Sequence, residues 1–129
     1  MKINIKTTRK SQLIDITNDI QQAVLDAEIT FGLVHVFCIH TTAGIAINES
    51  ADPDVRTDII NVLDRLVPWE GNYLHKGGNA AAHAKACIIG SSELLAIEDR
   101  KLVIGKWQAV FFCEFDGPRD RVVKLKFTK

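Results

Sequence analysis

From Glu93 to Phe127 the chain offers one strand pattern after another: ELLAIE, KLVIG, QAVFFCEF and, past a DGPRD turn at 116–120, VVKLKF. Strands joined by short turns pair antiparallel, because a parallel crossover needs a dozen or more residues. The N-terminal half supplies further strands. KINIKTT (2–8) alternates polar and apolar residues, and a second short strand is expected around Gln12–Ile16. FGLVHVFCIH (31–40) is β-branched and aromatic, the composition of a central strand. Its alternation sends Phe31, Leu33, His35 and Phe37 to one face and Val34, Val36, Cys38 and His40 to the other. GIAIN (44–48) is a further strand.

Three helices interrupt this pattern. Thr17 is placed to cap a helix in which Ile20, Ala23, Val24 and Ala27 recur at helical spacing. Asp52-Pro53 is an N-cap followed by proline at the first helical position, opening a helix striped by Val55, Ile59, Val62, Leu63 and Leu66 that ends before Pro68. Asn79 is placed to cap a shorter helix, Ala80–Ile89, closed at Gly90, with Cys87, Ile88 and Ile89 expected in the core. About seven strands and three helices imply one α+β domain over residues 1–129, with an antiparallel sheet and its helices grouped on one side.

Composition narrows the function. Apolar residues at 47% suffice for one core, and a formal net charge of zero argues against capture of nucleic acid or an anionic membrane. The basic stretches KTTRK (6–10) and RDRVVKLKFTK (119–129) read as solvated strand faces. Three widely spaced cysteines without a C-x-x-C pair, each in an apolar segment, read as reduced core residues. With no apolar leader and no run long enough to span a bilayer, the expected setting is cytoplasmic.

Candidate chemistry gathers around the histidines. His40 ends the central strand and is followed by Thr41, Thr42 and Gly44; His75 precedes Gly77-Gly78; His83 lies one turn after Asn79. Imidazoles from a strand end, a loop and a helix start can share one divalent ion, zinc by preference. The alternative is that each caps or bridges independently. His35, mid-strand, reads as a packed histidine. Asp52 and Asp54 suit a helix first turn, whereas Glu49 precedes the cap and is a candidate base or a ligand for hydrated magnesium. Gly77, Gly78 and Asn79 lead into a helix whose free N–H groups can hold a phosphate or carboxylate, with Arg119 as a clamp for the same anion.

HTTAGIAINESADPDVR (40–56), HKGGNAAAHAKACIIGSS (75–92) and GKWQAVFFCEFDGPRDR (105–121), in that order, resemble the YjbQ-type family, also described as secondary thiamine-phosphate synthases. The resemblance runs over essentially the whole chain. It implies a β-sandwich shaped as a half-barrel, capped at one end by helices and assembled as a homotrimer. It places His40, His75 and His83 in a pocket, with Glu49, Asp52, Asn79, Trp107, Gln108 and Arg119 at the other signature positions. Of these, Glu49, Asp52 and His83 are the expected catalytic set. Thr41, Thr42, Gly77, Gly78, Asn79, Trp107, Gln108 and Arg119 are the expected ligand contacts, and the three histidines the metal ligands. The implied activity is transfer: a hydroxymethylpyrimidine diphosphate joins a thiazole phosphate with release of pyrophosphate. Because three histidines suit zinc while diphosphate chemistry usually recruits magnesium, two alternatives stand beside it. One is a zinc-dependent hydrolase of a small phosphorylated metabolite, the other a trimeric, non-enzymatic metabolite-binding protein.

Overall fold

The two ends of the chain meet in one sheet. A computed structural model describes residues 1–129 as eight strands and three helices: β1 (Lys2–Lys6), β2 (Gln12–Asp15), α1 (Thr17–Asp26), β3 (Gly32–Cys38), β4 (Ala43–Glu49), α2 (Pro53–Leu66), α3 (Ala80–Ile89), β5 (Ser92–Glu98), β6 (Lys101–Leu102), β7 (Gln108–Glu114) and β8 (Asp120–Thr128). A five-stranded sheet runs β1-β8-β3-β5-β6 and a three-stranded sheet runs β2-β7-β4. Every pairing is antiparallel. The fold is an α+β antiparallel half-barrel with three helices, as the strand count and the resemblance implied.

The main core lies between the sheets. β3 is central, flanked by β5 and β8, and buries Val34, Val36 and Cys38 as its alternation requires. The opposite face is not packed: Phe31, Leu33 and Phe37 are exposed, and His35, expected inside, stacks on Phe37 at the surface. β7 is different, because both its faces are covered. Val110 and Phe112 join the inter-sheet core, while Ala109, Phe111 and Cys113 join a second core with Leu63 of α2 and Ala82 and Ala86 of α3. A strand buried on both faces loses its polar alternation, which is why QAVFFCE reads as a continuous apolar run.

Several local expectations need correction. Thr17 lies inside α1; its hydroxyl accepts from the Val110 N–H at 2.9 Å, while the Asp15 carboxylate accepts from the Thr17 N–H. Asn79 stands at the α3 N-cap without capping through its side chain. α3 buries Ala81, Ala82, Lys85 and Ala86, so Cys87 and Ile88 point outward, because small residues let the helix lie close on β4 and β7. On α2 only Leu63 of the apolar stripe is buried. Asp52 does cap α2, its carboxylate accepting from the Asp54 N–H at 2.9 Å.

Candidate functional site

β3 stops hydrogen-bonding to β8 at the Cys38–Val123 pair, and His40 continues the ladder with its side chain. Its Nε2 accepts the Val122 N–H at 2.9 Å. Burial, then the positive charge of Arg121, push the imidazole pKa below its ordinary value, with Glu114 opposing. A neutral ring that accepts at Nε2 carries its hydrogen on Nδ1, so His40 is a donor fixed in one tautomer.

Beneath it lies a buried ion pair. Glu114 is fully buried and Arg121 is 5% exposed. Arg121 Nε donates to Glu114 Oε1 at 2.8 Å, and a second guanidinium nitrogen donates to Glu114 Oε2 and to the Thr42 hydroxyl. Glu114 also accepts from the Thr7 hydroxyl and from the Phe115 and Asp116 amides. Burial alone would raise its pKa; the Arg121, Asp116 and Thr7 hydrogen bonds outweigh it and hold the carboxyl below its ordinary value.

The turn between β7 and β8 closes one side. Arg119 donates from Nε to the Asp116 carbonyl at 2.8 Å and from a terminal nitrogen to the Asp116 carboxylate at 3.0 Å. Asn79 Nδ2 donates to that same carboxylate oxygen at 2.9 Å, tying the start of α3 to the turn. The buried Asn79 Oδ1 has no partner. Between these elements opens a cavity of about 340 Å³, walled by His40, Thr41, Asn79, His83 and Arg119 and backed by Thr42, Asp116 and Arg121. A second cavity, about 400 Å³, shares His40, Thr41 and His83 with it.

The remaining sequence candidates divide between nearby support and a distant end. His75 is exposed and packs edge-on against His83, ring centroids 5.3 Å apart. Gly77 and Gly78, expected as ligand contacts, are not among the residues that wall either cavity. Gly78 needs its positive φ of 80°, and a Cβ on Gly77 would stand 2.6 Å from His75 Nε2. Glu49, Asp52, Trp107 and Gln108 lie at the other end of the β4–β7 ladder. Ala43 faces Glu114 at the cleft end and Glu49 faces Gln108 at the far end. Six residue steps at about 3.3 Å each separate those ends by roughly 20 Å. There the Gln108 side chain closes a turn by accepting from the Gly105 N–H, and the Trp107 carbonyl accepts from the Ser50 N–H.

The three-histidine metal site is therefore not formed. No three His, Cys, Asp or Glu side chains come together as a metal ion requires. Nε2 of His40 is taken by a backbone amide, and His75 meets His83 ring edge to ring face. Conversely, Glu114, Asp116 and Arg121 belong to the site and were not among the candidates. Parity could have found Arg121, which alternates with Val123 and Leu125 on the buried face of β8. Glu114 could have been flagged as a carboxylate inside an apolar run, where a charge must be paired.

Fold and site together define an antiparallel half-barrel protein with a polar cleft at one end of its smaller sheet. The family described as "UPF0047 protein YjbQ-like" matches residues 1–129, and the chain belongs to it. UPF0047 protein YugU of Bacillus subtilis is 44% identical over 125 residues, covering 96% of this chain and 95% of YugU. A UPF0047 protein of Methanocaldococcus jannaschii is 45% identical over 125 residues, 97% and 91% covered. The crystal structure of an uncharacterized conserved protein of this family from Clostridium acetobutylicum is 49% identical, covers 99% of each chain and superposes with a TM-score of 0.97. A YbjQ-like protein of unknown function from Sulfolobus solfataricus, 31% identical, superposes at 0.94 over 98% of this chain and 94% of its own.

These relatives overturn the activity that the resemblance implied. None of them is named for thiamine-phosphate synthesis, for another transfer, for hydrolysis or for metabolite binding. The zinc-dependent alternative also loses the histidine set it required. What stands is membership of a family of uncharacterised function. No helix of the chain is long and apolar enough to cross a membrane.

Proposed function

We propose that the cleft receives the anionic end, phosphoryl or carboxylate, of a small metabolite. One observation carries this reading: hydrogen-bond donors that the fold leaves free line a single cavity. They are the Nδ1–H of His40, fixed by the Val122 amide, and the Arg119 guanidinium. Arg119 has five N–H groups and spends two on Asp116, leaving three. Asp116 and Glu114 offset the two arginine charges, so recognition relies on directed donors more than on net charge. His83, whose ring rests against His75 and lines the same cavity, is the group placed to move a proton on a bound ligand. Free cysteines fit the reducing, cytoplasmic setting in which we place the protein.

Calorimetric titration with inorganic phosphate tests the reading. Saturable binding is expected in the wild type, weakened about tenfold or more in Arg119→Ala. Binding that ignores that substitution, or no binding at all, removes it.

A second observation favours self-association, with the homotrimer as the arrangement the resemblance implied. Leu33 and Phe37 of β3 and Leu94 of β5 form an exposed apolar strip; Leu94 pairs with the surface His35 in register. Exposed apolar side chains grouped on one sheet face commonly mark a protein–protein contact.

A further inference from the structure

The polar cleft does not end at His40. His40, Thr41 and His83 are walls of both cavities, so the two spaces adjoin at these three side chains. Charge is divided sharply between them. Asp116, Arg119 and Arg121 line the first, whereas no Asp, Glu, Lys or Arg side chain lines the second. The rest of its wall is Ala43, Ala86, Cys87 and Gly90, with Ser91 as the one further hydroxyl. Gly90 ends α3 with φ 95°, and a Cβ there would meet nothing within 4 Å, so the helix end leaves open space. Cys87 stands one helical turn beyond His83 on the same face of α3, with its thiol exposed.

A chamber without a charged side chain offers an ion little, while a carbon surface gains from leaving water against Ala43, Ala86 and Cys87. We infer that the ligand is bipartite. Its anionic group sits in the polar cavity, and a small, uncharged, largely apolar body, a ring or short hydrocarbon chain, rests against Ala86 and Cys87. His40, Thr41 and His83 clasp the junction between the two parts. The inference builds on the anion reading above and adds the chemical class of the rest of the molecule.

Phenyl phosphate compared with inorganic phosphate provides the test, and Cys87 provides a reporter. Cys38 and Cys113 are buried, and burial raises both thiol pKa values, that of Cys113 to about 12, so a native-state thiol reagent reads Cys87. Calorimetry is expected to show phenyl phosphate binding about tenfold tighter than inorganic phosphate. Saturating phenyl phosphate slows iodoacetamide labelling of Cys87 severalfold, and inorganic phosphate leaves that rate unchanged. Cys87→Gln, which lengthens and polarises the far wall at an exposed helix position, brings phenyl phosphate back toward inorganic phosphate without altering the latter. If inorganic phosphate binds but phenyl phosphate binds no tighter, or leaves Cys87 unprotected, the bipartite ligand is refuted and the anion site stands. If neither probe binds, the anion site fails and this inference falls with it.

Discussion

His40 accepts a backbone N–H at Nε2 and lines the cleft, so its protonation state governs the local structure there. Its folded pKa is lowered, which means the unfolded chain binds the proton more tightly. The associated stability is fully present above the ordinary imidazole value of 6.5 and is lost as pH falls through the depressed folded value. Protonation also places a hydrogen on Nε2, directly against the Val122 N–H. NMR titration of the His40 ring is expected to give a midpoint below 6.5, with the Val122 amide resonance shifting in step. A midpoint at or above that value would show the ring is not held this way. Glu114 follows with the same sign at lower pH, its contribution disappearing below the ordinary carboxyl range. Because Glu114 and Arg121 are both buried, Glu114→Gln leaves an unpaired guanidinium inside the protein. A loss of about 3–5 kcal/mol is expected in urea unfolding, with partial recovery in Glu114→Gln/Arg121→Met. A change well under 1 kcal/mol in the single variant would remove the pair from the list of what holds the site together.

At the scale of elements, α3 determines the shape of both cavities, and backbone contacts decide where it ends. The Gly90 carbonyl accepts from the Ile45 N–H at 3.0 Å, and the Ser91 carbonyl accepts from the Cys38 N–H at 2.8 Å. This close approach requires glycine at position 44, where a Cβ would stand 2.5 Å from the Gly90 oxygen. Gly44→Ala is therefore expected to push the helix end away from β4 and cost about 1–3 kcal/mol, read as a lower denaturation midpoint. An unchanged midpoint would mean that the contact is not tight. The limits of α3 were legible in Asn79 and Gly90, because helix ends obey local rules. Its buried face was not. That face includes Lys85, which is 2% exposed and paired with Asp64 of α2, while Cys87 and Ile88 face out. A short helix of small residues carries too weak an amphipathic signal to orient itself; the neighbouring sheet and α2 orient it instead.

For the whole molecule, the apolar strip on the outer face of β3 and β5 leads to an assembly prediction. Sedimentation should find the wild type as a homo-oligomer, with Leu94→Lys shifting it toward the monomer through a like charge placed in the contact. A wild type that stays monomeric at all concentrations would show that the strip is only surface. The same outer face shows how far alternation carries: it separated the buried Val34, Val36 and Cys38 from Leu33, His35 and Phe37, but not which side would meet solvent.

The amino-acid sequence by itself determined most of the strands, the limits of α2 and α3 and the antiparallel character, because these follow from short-range periodicity and capping. Tertiary structure decided the rest. It buried both faces of β7, sank Arg121 onto Glu114, left Cys87 exposed at the second cavity and sent Glu49 and Gln108 to the far end of a ladder roughly 20 Å long. The physical reason is that antiparallel register acts over the full length of a strand. Residues that look close along the chain can then stand at opposite ends of the sheet, and residues 82 apart, such as His40 and Val122, can share a hydrogen bond.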